Sequence, residues 1–354
     1  MNIAIIGCGW AGQRHAQACA VLGIRMRYAV DIDLSRAGSL ADRLSRIAHT
    51  SRITTDYGDA LSDPDVDAVS ICLPHNLHAQ VAIDAAQAGK QVLVEKPLAA
   101  SLEEADRMIA AADEAGIVLM VAENVRFDAL YLKVRDLLRD GVIGKPALLH
   151  MTRQCYLCDS FLQDRPWFLD VQAAAGGIMM SGGIHDFEAM RMLIGEVESV
   201  YALRAPQRFL EMQGDDTSVA AIRFQDGAVG TLVESFIMKC LTTAAGPEMH
   251  TLRIDGELGH IAWDGGRTIR VFSEHERWQT ADHLVQHEID VPVVDSFNLL
   301  LTHFVECVET SQEPITGGRS QRVPLACVMA AYESMRSGQP VKPVSIGMEA
   351  LASQ

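Results

Sequence analysis

Residues 7–12 read Gly7-Cys8-Gly9-Trp10-Ala11-Gly12, directly behind the apolar run Ile3–Ile6 and ahead of a stretch with helical periodicity. Three glycines at this spacing between a strand and a helix leave few folds open. The first permits a tight turn, the second lets the backbone approach a pyrophosphate, and the third lets helix and strand pack closely, with the phosphates at the helix N-terminus. In such units an acidic residue ends the second strand about 20 residues further on, and Asp31 stands there. A carboxylate at that point accepts the hydroxyls of an adenosine ribose and repels a 2′-phosphate. The pattern therefore predicts a dinucleotide site at Gly7, Gly9, Trp10, Ala11, Gly12 and Asp31 that takes NAD in preference to NADP. Arg36, one turn into the next helix, argues the other way, because a guanidinium can hold a 2′-phosphate.

The rest of the first half repeats the alternation of short apolar runs with helical stretches that builds a parallel sheet. Strands are expected at Ile3–Ile6, Met26–Val30, Ala68–Cys72, Gln91–Val94 and Val118–Val121. Helices are expected at Ala11–Leu22, Leu34–Ile47, His78–Ala88 and Leu102–Ala115, the last two closed by Gly89 and Gly116. Six strands in two βαβαβ halves would complete a doubly wound Rossmann domain over residues 1–123. Beyond Asn124 the texture changes. Runs such as Ser218–Phe224, Ala228–Ile237 and Thr268–Ser273 follow one another with turn residues between them, and Asp226-Gly227 reads as a hairpin turn. A glycine-rich helix is expected over Gly177–Ile194, with further helices near Asp295–Thr310 and Arg322–Arg336. Residues 124–354 thus read as an α+β domain with a large, mainly antiparallel open sheet.

Composition narrows the class. A chain of 354 residues, 49% hydrophobic, accommodates two domains with sizeable cores. Its 46 acidic against 30 basic residues leave a net charge of -16, which repels nucleic acid and anionic membrane surfaces. The N-terminus lacks the basic and apolar pattern of a secretory signal, and no apolar run is long enough to span a membrane. The eight cysteines are scattered, as expected of reduced thiols in a cytoplasmic protein. Cys155 and Cys158 form a CxxC with no second pair to complete a zinc site. His283 and His287 lack the glutamate of a metalloprotease motif and read as solvent-facing, so no metal is expected.

Three further stretches carry a family resemblance: Leu73-Pro74-His75-Asn76-Leu77-His78, Gly89-Lys90-Gln91-Val92-Leu93-Val94-Glu95-Lys96-Pro97 and Gly144-Lys145-Pro146. With the glycine fingerprint, the chain resembles the Gfo/Idh/MocA family, the glucose-fructose oxidoreductase and inositol dehydrogenase group, over nearly its whole length. The resemblance implies an open C-terminal sheet used for homo-oligomerisation, as a dimer or tetramer. It adds Leu73, Pro74, Asn76, His78, Glu95, Lys96, Pro97 and Asn124 to the cofactor site, with a cis Lys96-Pro97 bond. Lys96 matches the family lysine that hydrogen-bonds the reacting oxygen beside the nicotinamide, where an ammonium stabilises developing alkoxide charge. The family places an aspartate and a histidine four apart in the stretch that here reads Gly176-Gly177-Ile178-Met179-Met180-Ser181-Gly182-Gly183-Ile184-His185-Asp186.

His185 matches the histidine, and Ser181 replaces the aspartate. Positions i and i+4 share a helix face, so Ser181 can orient His185 by a hydrogen bond. A hydroxyl carries no charge, however, so a base of ordinary strength needs a carboxylate from elsewhere, and Glu123, Asp186 and Glu188 are the candidates. Gly182 and Gly183 weaken a helix, which implies a close approach to its backbone. Arg126 is a candidate for binding substrate hydroxyls or a carboxylate, and Trp167 is either an apolar wall for a sugar ring or core. The expected chemistry is hydride transfer to or from a secondary hydroxyl or carbonyl of a sugar, polyol or derivative. Two alternatives stand beside it: an enzyme with tightly bound NAD that uses transient oxidation for elimination, hydrolysis or epimerisation of a glycoside, and a non-catalytic dinucleotide sensor.

Overall fold

The computed structural model describes residues 1–45, 51–157, 162–163, 165–238, 248–279 and 286–345. Its first sheet is parallel and six-stranded, in the order β3-β2-β1-β4-β5-β6. The strands are β1 (Asn2–Ile6), β2 (Arg25–Val30), β3 (Arg52–Thr54), β4 (Ala68–Ile71), β5 (Gln91–Val94) and β6 (Leu119–Val121). Between them run α1 (Trp10–Val21), α2 (Leu34–Ser45), α3 (Tyr57–Ser62), α4 (His78–Gln87) and α5 (Leu102–Ala115). Strand β4 is buried along its whole length and β5 from Val92 to Val94, the burial expected of central parallel strands covered on both faces. Strand β6, at one edge of the sheet, is buried as well. Strand β3 has no such run because it is a short, partly exposed edge strand, so its pattern in the sequence is polar. Ser101 caps helix α5, its hydroxyl accepting from the Glu104 N–H, and the Glu104 carboxylate reaches back to the Ala100 N–H. The helix ends on Gly116 at φ 65°, a left-handed position that glycine adopts without strain.

The glycine loop is set by steric necessity. Gly7 has φ +96°, and a Cβ there would stand 2.2 Å from the Cys72 carbonyl oxygen. A Cβ on Gly12 would meet the Gly7 carbonyl oxygen at 1.9 Å, whereas Gly9 has nothing within 4 Å. Two glycines therefore serve packing, and the third leaves open space above the start of α1.

The second sheet has eight strands in the order β14-β13-β12-β11-β7-β10-β9-β8. These are β7 (Pro146–Cys155), β8 (Val197–Arg204), β9 (Thr217–Phe224), β10 (Val229–Ser235), β11 (Glu248–Gly256), β12 (Gly259–Trp263), β13 (Thr268–Ser273) and β14 (Gln286–Asp290). All neighbours are antiparallel except β10 and β7. The β9–β10 hairpin turns at Asp226-Gly227, with Gly227 at φ +95° and the Asp226 carboxylate accepting from the Ala228 N–H. The helices of this half are α6 (Ala129–Arg139), α7 (Val171–Ala174), α8 (Ile178–Ser181), α9 (Gly183–Leu193), α10 (Ser296–Thr310) and α11 (Gly318–Ser337).

The single helix expected over Gly177–Ile194 is two, α8 and α9, broken at Gly182. The cause is close packing by the protein itself: a Cβ on Gly182 would lie 2.8 Å from Glu234 Oε1 and 2.9 Å from Arg153 Cδ. Helix α10 returns to the first sheet, where Phe297, Leu300, Leu301 and Phe304 join Ile3, Ile5 and Met120 in one buried cluster. Each such side chain contributes about 1.5–3 kcal/mol when fully buried, so the C-terminal half supplies part of the N-terminal core. Among the described residues no helix is long and apolar enough to cross a membrane. No described cysteine is in a disulfide, and Cys158 and His283 lie outside the described residues. His287, expected in solvent, is half-buried and donates from Nε2 to the Trp278 carbonyl at 2.7 Å.

Gly12→Ala should lower unfolding free energy by at least ~2 kcal/mol through the clash with Gly7. Gly9→Ala should cost about 1 kcal/mol or less, since its φ of -70° suits any residue and its space is open. Denaturant titration of the two variants checks the contrast.

Candidate active site

The C-terminal ends of the parallel strands β1, β2, β4, β5 and β6 lie along one side of the sheet, where ligands of open α/β sheets bind. At the end of β2 the Asp31 carboxylate is held from two sides. Oδ2 accepts from the Cys8 N–H at 2.8 Å and Oδ1 from the Asp33 N–H at 2.9 Å. These contacts fix it beside the glycine loop. Helix α1 starts at Trp10 with Gly9 as its cap residue and no side-chain cap, so its first N–H groups face the open space above Gly9. Uncapped amides at a helix N-terminus beside open space fit an anionic pyrophosphate. Arg36 turns to Asp33, at 3.8 Å, rather than toward Asp31.

The loop after β4 lies against this site, with the Leu73 side chain 3.3 Å from the position a Gly7 Cβ would take. Leu73 and Pro74 are half-buried and Asn76 is exposed beside them. His78, expected at the cofactor, packs beneath this loop. It is fully buried, and its ring nitrogens lie 2.8 and 3.0 Å from the Pro97 and Leu73 carbonyl oxygens. It ties the two loops together from below. Glu95 likewise faces the protein: His15 Nε2 lies 3.1 Å from its Oε1, and His15 Nδ1 lies 2.8 Å from Ser70 Oγ. The Lys96-Pro97 bond is cis, and Pro97 is buried.

Lys96 Nζ donates to the Ser181 carbonyl oxygen at 2.9 Å, which brings the end of β5 to the end of α8. Burial lowers the Lys96 pKa from its usual range; Glu95 and Glu123 oppose this, while Arg153 and Arg165 add to it. His185, on the first turn of α9, donates from Nδ1 to Glu123 Oε1 at 2.6 Å. The orienting bond expected from the Ser181 hydroxyl thus comes from Glu123, which follows β6 and is itself fully buried. With Nδ1 carrying the proton, Nε2 presents a lone pair. Burial lowers the His185 pKa below the ordinary histidine range, the Glu123 charge pushes it back up, and Lys96 lowers it again. The ring is therefore neutral and able to accept a proton near pH 7.

The two carboxylates near His185 in sequence are engaged elsewhere. Asp186 takes a paired contact from Arg153, at 3.0 and 2.9 Å, and lies 3.3 Å from His250 Nε2. Burial opposes its ionisation, but Arg153 and His250 hold it well below the usual carboxylate range. Glu188 pairs with Arg126 at 3.3 Å and Arg191 at 3.2 Å. Burial nevertheless raises its pKa to about 7. Arg126 is thus engaged in an ion pair with Glu188. Asn124 donates to Ser296 Oγ at 3.2 Å and fastens the end of β6 to α10. Trp167 packs edge-on against His75, with centroids 5.0 Å apart, and against Phe168. Sequence reasoning missed Arg153, Glu234 and Arg165. The first two are single charges in strands, and what marks them is the buried cluster they form around Asp186 and Gly182.

Residues 1–123 match the family model described as an oxidoreductase family with an NAD-binding Rossmann fold, and residues 131–262 match the GFO/IDH/MocA C-terminal domain. The chain belongs to the Gfo/Idh/MocA oxidoreductase family. It is 32% identical to the Bacillus subtilis oxidoreductase YrbE, over 95% of both chains. It is 30% identical to a B. subtilis scyllo-inositol 2-dehydrogenase (NAD(+)), covering 97% of this chain and 96% of the relative. Among solved structures it resembles a levoglucosan dehydrogenase in complex with NADH, with a TM-score of 0.86, 23% identity and coverage of 98% and 100% of the two chains. That last likeness concerns the fold.

Glu123→Gln keeps a hydrogen-bond acceptor at His185 and removes the charge. Because that charge raises the His185 pKa, the acid limb of the kcat/KM profile should move to lower pH, and the rate should fall by ~10–10²-fold through loss of base strength. A pH series on parent and variant checks both.

Proposed function

We propose that this protein oxidises or reduces a secondary hydroxyl or carbonyl of a sugar, a polyol or a close derivative with NAD, using residues 1–123 for the dinucleotide and 124–354 for substrate and assembly. The supporting observation is the convergence at the end of the Rossmann sheet of Lys96 and a His185 whose Nδ1–H is held at 2.6 Å by Glu123. Gly7, Gly9, Trp10, Ala11, Gly12 and Asp31 would hold the cofactor. Bound NAD supplies the acceptor for a hydride from the carbinol carbon. In the oxidative direction His185 Nε2 takes the hydroxyl proton, and Glu123 stabilises the imidazolium that results. Lys96 donates to the same oxygen and stabilises its negative charge as the C–O bond gains double-bond character. Ser181 contributes its carbonyl, which aims the Lys96 ammonium. The inositol dehydrogenase named among the relatives supports the substrate class.

The sensor reading rested on Ser181 in place of an aspartate, and Glu123 supplies the carboxylate that this replacement removes. Turnover is therefore expected. Incubating the protein with NAD and a panel of inositols and monosaccharides should produce NADH, and Lys96→Ala and His185→Ala should each lower kcat by ~10²–10⁴-fold. Variants as fast as the parent on the same substrate would overturn these roles.

We also propose a homodimer or homotetramer in the cytoplasm, assembled through the open face of the second sheet. Tyr201, Leu203, Val219 and Val229 are 38%, 55%, 43% and 41% exposed on the adjacent strands β8, β9 and β10. A contiguous apolar patch of this kind marks an interface. Light scattering should give a mass that is a multiple of the 38.6 kDa chain, and Leu203→Lys should reduce it.

A further inference from the structure

Lys96 stands among charges that it does not touch. Glu95 and Glu123 lie within electrostatic reach of its ammonium, as do Arg153 and Arg165. His75, His78 and His185 lie within reach of it in turn. Among the described residues neither carboxylate forms an ion pair with Lys96, and Nζ makes one hydrogen bond, to the Ser181 carbonyl. A buried ammonium beside two carboxylates closes on one of them unless each is held elsewhere. Each is held by a histidine. Glu123 takes the Nδ1–H of His185 at 2.6 Å, and Glu95 Oε1 lies 3.1 Å from His15 Nε2. No step of the proposed reaction uses His15.

His15 is wholly buried on α1, edge-on to the Phe297 ring of α10 with centroids 5.5 Å apart. Its Nδ1 lies 2.8 Å from Ser70 Oγ on β4, which in turn lies 3.6 Å from Cys72 Sγ. A hydroxyl can accept from Nδ1 or donate to it, so in either charge state of the ring the Nε2–H is directed at Glu95. The second Glu95 oxygen, Oε2, accepts from the Lys96 backbone N–H at 3.1 Å. Glu95 is thereby fixed through both oxygens. Burial opposes its charge, and His15, with Lys96 and His185, outweighs burial and lowers its pKa below the usual carboxylate value. We propose that His15 is a positioning residue: by holding the Glu95 carboxylate on the α1 side, it keeps the Lys96 N–H groups open to the reacting oxygen. The use of those N–H groups rests on the reading of Lys96 in hydride transfer, whereas the pairing of His15 with Glu95 does not.

The test compares the parent with His15→Leu, Glu95→Gln and the double variant. The pH dependence of Lys96 acetylation by trace acetic anhydride, read by mass spectrometry of its peptide, follows the ammonium without cofactor or substrate. In His15→Leu the released carboxylate pairs with Lys96. Contact with an opposite charge favours the charged form, so Lys96 titrates at higher pH than in the parent, and kcat falls by ~10–10²-fold as its donors are occupied. Glu95→Gln removes the charge, so Lys96 titrates at lower pH than in the parent. The double variant titrates as Glu95→Gln does and regains kcat over His15→Leu. His15→Asn, able to partner Ser70 but too short for Glu95, should behave as His15→Leu, whereas His15→Gln, with an N–H at the Nε2 position, should behave as the parent. Thermal melts identify the folded variants. A Lys96 titration that falls or stays fixed in folded His15→Leu or His15→Asn overturns the proposal, as does a double variant no faster than His15→Leu. If the parent turns over no sugar or polyol with NAD while the titrations move as expected, the pairing stands and the reading of Lys96 in hydride transfer falls.

Discussion

The 2.6 Å contact between Glu123 and His185 joins the two halves of this chain at the point where chemistry is expected. Glu123 leaves the last strand of the parallel sheet and is wholly buried, so its charge needs a partner on the other side of the seam. His185 supplies one from the first turn of α9. The contact fixes the ring's orientation and its tautomer together, and Lys96, reaching the same helix pair through the Ser181 carbonyl, is placed relative to both. A shift of α9 against the Rossmann sheet would break all three relations at once.

Behind this seam the sheet of the second half holds a charged cluster with little solvent. Arg153, Glu234 and His250 occupy one row across β7, β10 and β11, and all three approach Asp186. Burial raises the Glu234 pKa well above the carboxylate range, and the Asp186 charge raises it further. The cluster explains the glycines of the stretch 176–183. They admit protein groups: Tyr332 at Gly176, Asp215 at Gly177, Glu234 at Gly182 and Gly183. The close approach inferred from sequence is real, but the cause is the scaffold that holds His185.

Ser181 stands where the family resemblance implies an aspartate, and negative charge reaches His185 from elsewhere. In this chain it comes from the Rossmann side, through Glu123, and the hydroxyl that takes the aspartate's position is neutral. The Glu123–His185 contact thereby depends on how the halves are assembled. Helix α10, which places Phe297, Leu300, Leu301 and Phe304 in the N-terminal core, and the Asn124–Ser296 contact join the two halves.

The nucleotide loop could be read from the sequence because its physics is local: Gly7 and Gly12 are demanded by atoms within a few residues or one strand away, and Asp31 by the end of β2. Buried strands and capped helices were legible for the same reason, each stating its burial in its own periodicity. Edge strand β3 was not, since half of its surroundings is water. The sequence offered three candidate carboxylates for His185, and nothing local distinguished Glu123 from Asp186 or Glu188. Which one met the ring depended on the packing of β6 against α9, a relation between residues 62 apart. His15 against Glu95 and Arg153 against Asp186 were decided in the same way. The sequence determined the cofactor loop and the kind of chemistry; the tertiary structure decided which charges face each other, because a buried charge is assigned to its partner by the whole fold's closure and by no pattern along the chain.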